Sequence, residues 1–306
     1  MTDFRSGYIA IIGRPNVGKS TLVNALLGQK IAAVSPKPQT TRRRQLGILT
    51  TESAQIIFVD TPGLHNARHK LGEFLNQEAQ ESIEDVDAIL FLVDSSVEPT
   101  DEDKSVADLL NRVPRRIPRM LVLNKIDLVS ADALSARAET YSNLLIQTKV
   151  QKVSAAKAIG LHELLEALVQ FLPTRPPEYP EDQVTDSYER EIAADLIREA
   201  ALLKLRDEVP HGIAVRVDEF KERENGMAYI AATVFVERES QKGIVIGEGG
   251  QMLKQIGTAA RGEIEKMGGR AVFLELRVKV LKDWRKDENA LQRFGYKIKG
   301  KKKNRK

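Results

Sequence analysis

Cysteine is absent from all 306 residues. That removes disulfide frameworks, thiolate-ligated zinc and thiol nucleophiles from consideration, and it suits a reducing cytoplasm. Long apolar runs are missing too: none approaches the roughly 20 residues needed to cross a bilayer. The N-terminal MTDFRSGYIAIIG has a short apolar run and no small-residue cleavage site, so it reads as a first buried strand and not as a signal peptide. Acid is missing from the last ten residues, KIKGKKKNRK, which hold seven Lys or Arg. The whole chain carries +4, so the remainder is slightly acidic and the positive charge gathers in one tail. Such a tail suits a polyanion partner, or serves only as a solubilising end.

What is present fits a globular chain of about two domains, with 42% hydrophobic and 29% charged residues. Over 8–172, short apolar runs alternate with amphipathic stretches. The runs Tyr8–Ile12, Gln55–Asp60, Ala88–Asp94, Met120–Asn124 and Lys149–Val153 read as strands covered on both faces. Helical patterns fall near 19–28, 70–83, 101–112, 131–147 and 161–171. Alternation of this kind predicts an α/β fold with a doubly wound, largely parallel sheet. The segment LPTRPPEYPEDQVTD, Leu172–Asp186, has four prolines and cannot continue a helix or central strand. It marks a linker at 174–187 between a domain over 1–173 and a second over 188–285, with the basic tail beyond at 286–306. The second region begins with a helix over Tyr188–Arg206. Alternating segments follow at 213–220, 228–237 and 271–280, which predicts an α+β domain with helices on one face of a small sheet.

The chemistry is concentrated in short motifs. Gly13-Arg14-Pro15-Asn16-Val17-Gly18-Lys19-Ser20 has the form G-x-x-x-x-G-K-S and joins a predicted strand to a predicted helix. Glycines let the loop tighten until its N–H groups surround phosphates, and the helix N-terminus adds positive potential. Lys19 can reach the β- and γ-phosphates, and the Ser20 hydroxyl, with Thr21 beside it, suits Mg²⁺. A chance Gly-rich turn is the bland alternative. Asp60-Thr61-Pro62-Gly63 ends a strand, where Asp60 can hold Mg²⁺ through water and the Gly63 amide can approach the γ-phosphate. In the polar, strand-poor stretch Pro38–Arg44, either Thr40 or Thr41 can complete the metal shell only when a γ-phosphate is present.

Asn124-Lys125-Ile126-Asp127 follows another strand. Asp127 can accept from both the ring N–H and the exocyclic amine of guanine, a pattern adenine lacks. Its binding would leave the carboxylate unpaired, and such sites discriminate by about 10⁴-fold or more. Asn124 can hold the neighbouring loop, the Lys125 stem packs on the ring, and Ser154-Ala155-Ala156 can aim an N–H at the guanine carbonyl. These motifs select GTP over ATP. The residue after Gly63 is Leu64, which cannot orient an attacking water. His65 and His69 are the nearest polar candidates, and each reads more simply as a solvent-facing loop residue. An amide oxygen on Asn16 can instead ligate a monovalent cation against the phosphates. K⁺ but not Na⁺ is therefore expected to accelerate hydrolysis.

In the C-terminal half, Ile246-Gly247-Glu248-Gly249 followed by Gly250 and Lys254 has the G-x-x-G form of a KH-type turn. Its amides would meet a nucleic-acid backbone, with an apolar groove for about four unpaired bases. Glu248 places an acid where a cation would help, and Lys242, Lys254, Arg277, Lys279, Lys282 and the tail are the expected compensation. Trp284 can stack on a base or pack at the end of the last strand.

Taken together, GRPNVGKST, PQTTR, DTPG, NKID and SAA, then a Pro-rich linker and VIGEGG, resemble the Era family of bacterial GTPases. The likeness covers nearly the whole chain. It implies a GTPase switch in small-subunit (30S) ribosome assembly that binds single-stranded RNA near the 3′ end of 16S rRNA, using GTP or GDP, Mg²⁺ and K⁺. It makes Thr41 the metal ligand, so Lys19, Thr41 and Gly63 are the catalytic set. It also implies a monomer in the cytoplasm, with peripheral association at the inner face of the cell membrane in some members. Two rivals stand beside it: an RNA-binding module whose nucleotide site only binds, and a membrane-associated signalling GTPase.

Overall fold

The computed structural model describes residues 4–35, 37, 40–64, 70–146, 148–206 and 209–296. Pro38, Gln39, His65, His69 and the basic stretch 297–306 lie outside them. The chain folds into two compact units, one of Met1–Asn66 with Leu75–Ile192, the other of Ala67–Phe74 with Ala193–Lys306.

The first unit is built on β1 (Arg5–Ile12), α1 (Lys19–Leu27), β2 (Gln45–Thr50), β3 (Ala54–Asp60), α2 (Lys70–Glu81), β4 (Ala88–Asp94), α3 (Asp101–Arg112), β5 (Arg119–Asn124), α4 (Ala131–Ser142), β6 (Lys149–Lys152) and α5 (Leu161–Val169). Its six strands are ordered β2-β3-β1-β4-β5-β6, all parallel except β2 against β3. Alternating side chains of each central strand enter separate cores. Ile9, Ile11, Leu90, Leu92, Met120 and Val122 meet α1 and α5 on one face. Ala10, Ile12, Phe91, Val93, Leu121 and Leu123 meet α3 and α4 on the other. Two buried faces explain why these strands read as unbroken apolar runs. Each fully buried Ile or Leu contributes about 1.5–3 kcal/mol, so the two cores hold the strand ends in place. The chain leaves β1 toward β3 on one side and β4 on the other. This is the strand-order reversal whose carboxyl-end crevice takes ligands in open α/β sheets.

Three points of the sequence reading are corrected. The stretch after Arg44, where the sequence reading named no strand, supplies β2, because Leu46 and Ile48 pack against Ile57 and Val59. The last strand, expected to be covered on both faces, is an exposed edge; only Val153, just past its end, is fully buried. Helix α4 also stops at Ser142, short of the expected 147. The proline-rich segment lies along this unit. Ile48 N donates to Val184 O at 2.9 Å, and the Gln55 side chain accepts from the Glu178 and Tyr179 amides at 2.8 and 3.0 Å. A chain rich in proline, poor in donors of its own, thereby caps the open edge of β2.

The second unit takes up α6 (Glu189–Lys204), β7 (Ala214–Glu222), β8 (Ala228–Val236), α7 (Glu239–Ile246), α8 (Gln251–Gly268), β9 (Val272–Val280) and α9 (Glu288–Arg293), the division falling inside α2 and α6. Strand β8 is central, antiparallel to β7 and parallel to β9. Helix α8 buries Ile256, Ala260 and Ile264, a stripe at i, i+4 and i+8. Trp284 is fully buried, donates Nε1–H to Gly212 O at 2.8 Å and meets Phe294 edge-on, so it packs and does not offer a stacking face.

Candidate functional site

At the carboxyl end of β1 the chain turns through the phosphate loop into α1. Two glycines there are sterically required. Gly18 has φ +103°, and a Cβ on it would stand 2.4 Å from Asn124 Nδ2; a Cβ on Gly13 would stand 2.3 Å from Leu92 O. Asn16 also takes the left-handed region, at φ 65°, and is exposed on the rim. Lys19 is 6% exposed, with Nζ 3.1 Å from Gly13 O and 3.0 Å from Arg14 O. Burial pulls its pKa down to about 8, against the opposing charge of Asp60. A buried ammonium held on loop carbonyls is a cation ready for phosphate.

Oxygen atoms gather beside it. Ser20 Oγ lies 2.6 Å from Asp60 Oδ2 and 2.7 Å from Thr41 Oγ1, and Thr41 Oγ1 lies 3.3 Å from the same carboxylate oxygen. Asp60 Oδ1 is buried without a hydrogen-bond partner, and burial raises the carboxyl's pKa above its ordinary value. Two hydroxyls and a carboxylate with one orphaned oxygen suit Mg²⁺, a hard cation that keeps water and phosphate oxygens for its remaining positions. Thr40 lines the same cavity, but its hydroxyl donates to Lys37 O at 2.7 Å, whereas that of Thr41 meets Ser20 and Asp60. Gly63 passes so close to the loop that a Cβ would sit 2.6 Å from Pro15 N. A cavity of about 50 Å³ is lined by Asn16, Lys19, Ser20, Thr41 and Gly63. Leu64 packs against the α3–α4 core and carries no group to orient water.

The third motif is braced as a unit. Asn124, 2% exposed, donates Nδ2–H to Val17 O at 2.8 Å and accepts from Ala155 N at 3.0 Å, tying the phosphate loop to the Ser154–Lys157 turn. Ser154 Oγ donates to Asp127 Oδ1 at 2.5 Å and orients that carboxylate. Two acids escaped the sequence reading. Asp94, at the end of β4, accepts from Lys125 Nζ at 2.6 Å and lies 3.9 Å from Arg14. Burial pushes its carboxyl up, but the Lys125 and Ser96 hydrogen bonds outweigh that and hold it below the usual carboxylate range. Asp103, buried in the capping box of α3, accepts from Arg14 Nε at 3.0 Å. A carboxylate ending β4, as Asp60 ends β3, was the available signal.

In the second unit, α7 ends at Ile246 and α8 begins at Gln251, separated by Gly247, Glu248, Gly249 and Gly250. The three glycines have φ of +73°, +56° and +80°. A Cβ on Gly247 would fall 2.7 Å from Met252 Cβ, so the turn needs glycine there. Beside it a groove of about 420 Å³ is walled by Leu253, Leu274 and Leu276 and edged by Lys254 and Arg261. Arg277 and Lys279 do not reach it. In a strand of period two they project to the face opposite Leu274 and Leu276, where Arg277 pairs with Glu275 at 2.7 Å. Lys242 pairs with Glu239. Arg261, seven residues beyond Lys254 on the same face of α8, is the groove cation that sequence reading missed.

A family model described as "50S ribosome-binding GTPase" matches residues 8–125, and a KH-domain model matches 208–285. Among characterised relatives, GTPase Era of Ruminiclostridium cellulolyticum is 47% identical and GTPase Era of Geotalea uraniireducens 48% identical, each match covering 96% of this chain and 98% of the relative. A crystal structure of Era with MgGDPNP and nucleotides 1506–1542 of 16S ribosomal RNA superimposes with TM-score 0.91 at 39% identity. A point variant of Aquifex aeolicus Era bound to GDP and AlF₄⁻ gives 0.90 at 40%; both cover 96% of this chain and all of theirs.

Proposed function

This chain belongs to the Era family of GTPases, with a P-loop GTPase domain followed by a KH domain, and on that footing we propose that it is a GTP-operated switch on the 3′ region of 16S rRNA. The observation that carries the reading is the Thr41 hydroxyl beside Ser20 and Asp60. It brings a hydroxyl from a loop to the place where a γ-phosphate and Mg²⁺ would meet. Lys19 neutralises the β- and γ-phosphates, Ser20 and Thr41 ligate Mg²⁺, and Asp60 holds the metal's water. The Gly63 amide follows the γ-phosphate. Asp127, aimed by Ser154, reads guanine, with an amide of the 154–156 turn on its carbonyl. Val17, Gly18, Thr21, Asn124 and Lys125 shape the cradle around these groups. Loss of the γ-phosphate would release Thr41 and Gly63 together, which is the switch.

With Leu64 unable to position water, the Asn16 side-chain oxygen at the rim is the group that would hold K⁺, and the bound cation would supply part of the charge an arginine finger would. RNA enters along the turn Gly247–Gly250, which Ile246 leads into, and the groove of Lys254. The GTP form binds it and hydrolysis promotes release, in 30S assembly and 16S rRNA maturation. The protein works as a cytoplasmic monomer. A membrane-signalling role would rest on the basic tail alone, which lies outside the described residues, and is not adopted. Phosphate release from purified protein, measured with and without RNA in matched potassium and sodium salts, tests the scheme. Turnover in K⁺ should exceed that in Na⁺ by about tenfold or more, a fraction of what an arginine finger provides. Equal rates remove Asn16 from the mechanism, and no phosphate release in either salt leaves a binding module.

A further inference from the structure

The loop between α3 and β5 reads Asn111-Arg112-Val113-Pro114-Arg115-Arg116-Ile117-Pro118-Arg119, four arginines in eight residues with no acid among them. It sits at the amino end of β5, whereas Asn124 closes the carboxyl end. Five strand steps of about 3.3 Å put it about 17 Å from the guanine motif. Its shape is fixed. Ile117 N donates to Pro114 O at 3.1 Å, Ile89 N donates to Pro118 O at 3.0 Å, and Asn111 clasps the neighbouring turn through Leu144 O at 2.8 Å and Ile146 N at 3.2 Å. Within this frame lies a cavity of about 70 Å³ lined by Asn111, Arg115, Ile117, Pro118, Arg119 and Ile146. A cavity of that size has room for several waters or for a phosphate group.

Arg119 is only 9% exposed, and its guanidinium donates to Val113 O. Burial, with the charge of Arg115 added, lowers its pKa from the ordinary arginine value. A cation pressed toward another cation in a half-dry cleft is costly unless an anion joins them. Elsewhere in this chain arginines meet acids, as Arg14 does Asp103, Arg198 does Asp195 and Arg285 does Glu237. Among the described residues none of Arg112, Arg115, Arg116 and Arg119 forms an ion pair.

We infer that this loop is a second RNA contact, a site for backbone phosphate on the GTPase domain. One phosphate sits between Arg115 and Arg119, and Arg112 and Arg116 meet its neighbours along the strand. A single free anion would leave those outer cations unused, which favours a polyanion, and the KH domain of the same chain favours RNA. The inference goes beyond the groove reading above and does not depend on it, since the two surfaces lie in different units.

The test is binding of full-length protein to 16S rRNA over a series of salt concentrations. R115A/R116A removes two exposed cations far from the nucleotide, so GTP hydrolysis without RNA should be unchanged, which also verifies folding. The expected result is weaker RNA binding, with a log K against log salt slope shallower by about 1–2. R115K, which keeps charge and loses the bidentate fork, should retain most of that slope. K254A is the parallel arm for the groove. If R115A/R116A leaves affinity and slope untouched while K254A weakens binding, the inference fails and the groove reading stands. If only R115A/R116A weakens binding, the reverse holds. Unchanged RNA binding with lost binding to phosphatidylglycerol vesicles would assign the loop to lipid and overturn the inference.

Discussion

The nucleotide site and the KH groove differ most in what holds their shape. Around the nucleotide site, Lys19, Ser20, Asp60 and Asn124 are 0–8% exposed; Lys19 donates to carbonyls of its own loop, while Ser20–Asp60 and Asn124–Val17 hydrogen bonds tie separate segments together. The groove relies on backbone conformation instead. Glu248 and Gly249 are exposed, the turn is set by three left-handed glycines, and its polar edge consists of two cations. A site that must separate guanine from adenine needs donors and acceptors placed before the ligand arrives. A surface that holds an RNA backbone needs only curvature and charge, and tolerates an awkward residue such as Glu248.

Substitutions can break this contrast, beginning where the effect should be greatest. Asp127→Asn is expected to weaken GTP by about 10³-fold and to erase its advantage over ATP, because charge-assisted bonds to guanine are lost from a preformed site. Calorimetry with both nucleotides checks it, and an unaffected preference would mean the site is not preformed. Gly247→Ala should cost about 2 kcal/mol of stability in the KH domain, from the left-handed φ and the Met252 contact, with RNA affinity falling and GTP hydrolysis without RNA preserved. Thermal unfolding and filter binding measure the two halves of that statement.

A pH experiment sharpens the same contrast. Lys19 in the free protein has a pKa of about 8, and phosphate beside it restores the charged form. Nucleotide binding above pH 8 therefore takes up a proton, and affinity should fall by up to about tenfold per pH unit until the lysine's ordinary pKa is reached. GDP titrations at pH 7 and 9 in buffers of different ionisation enthalpy would show the uptake only at the higher pH. The smallest change is expected from Glu248→Lys. RNA affinity should rise a few-fold and the salt slope steepen by about 0.7, the increment for one more phosphate contact on a single strand. A large gain would mean that the acid controls the turn more than its exposed position suggests.

Most of the nucleotide site was legible because its chemistry is local. Gly13–Ser20, Asp60–Gly63 and Asn124–Asp127 each need fixed spacing on a strand end, and the strands announce themselves as apolar runs. Asp94 and Asp103 were not legible. Each is a single carboxylate with no motif around it, and only the pairing of β4 with β5 and the approach of Arg14 to α3 gives it a role. Thr40 and Thr41 could not be told apart from the residues themselves, since one step along a loop reverses which side chain faces the metal. Arg277 and Lys279 seemed to serve the groove until the register of β9 turned them to the other face.

Composition, periodicity and motif spacing by themselves determined the two-domain order, the α/β and α+β classes, the preference for guanine and the glycine turn for RNA. These depend on short-range constraints, where a backbone angle or a strand end dictates the residue. Tertiary structure alone decided that β2 forms an edge covered by the proline-rich segment, that Trp284 is buried, and that Arg115 and Arg119 line a small cavity at the far end of the sheet. Such features depend on which distant segments meet, and contact between residues far apart in the chain leaves no periodic trace along it.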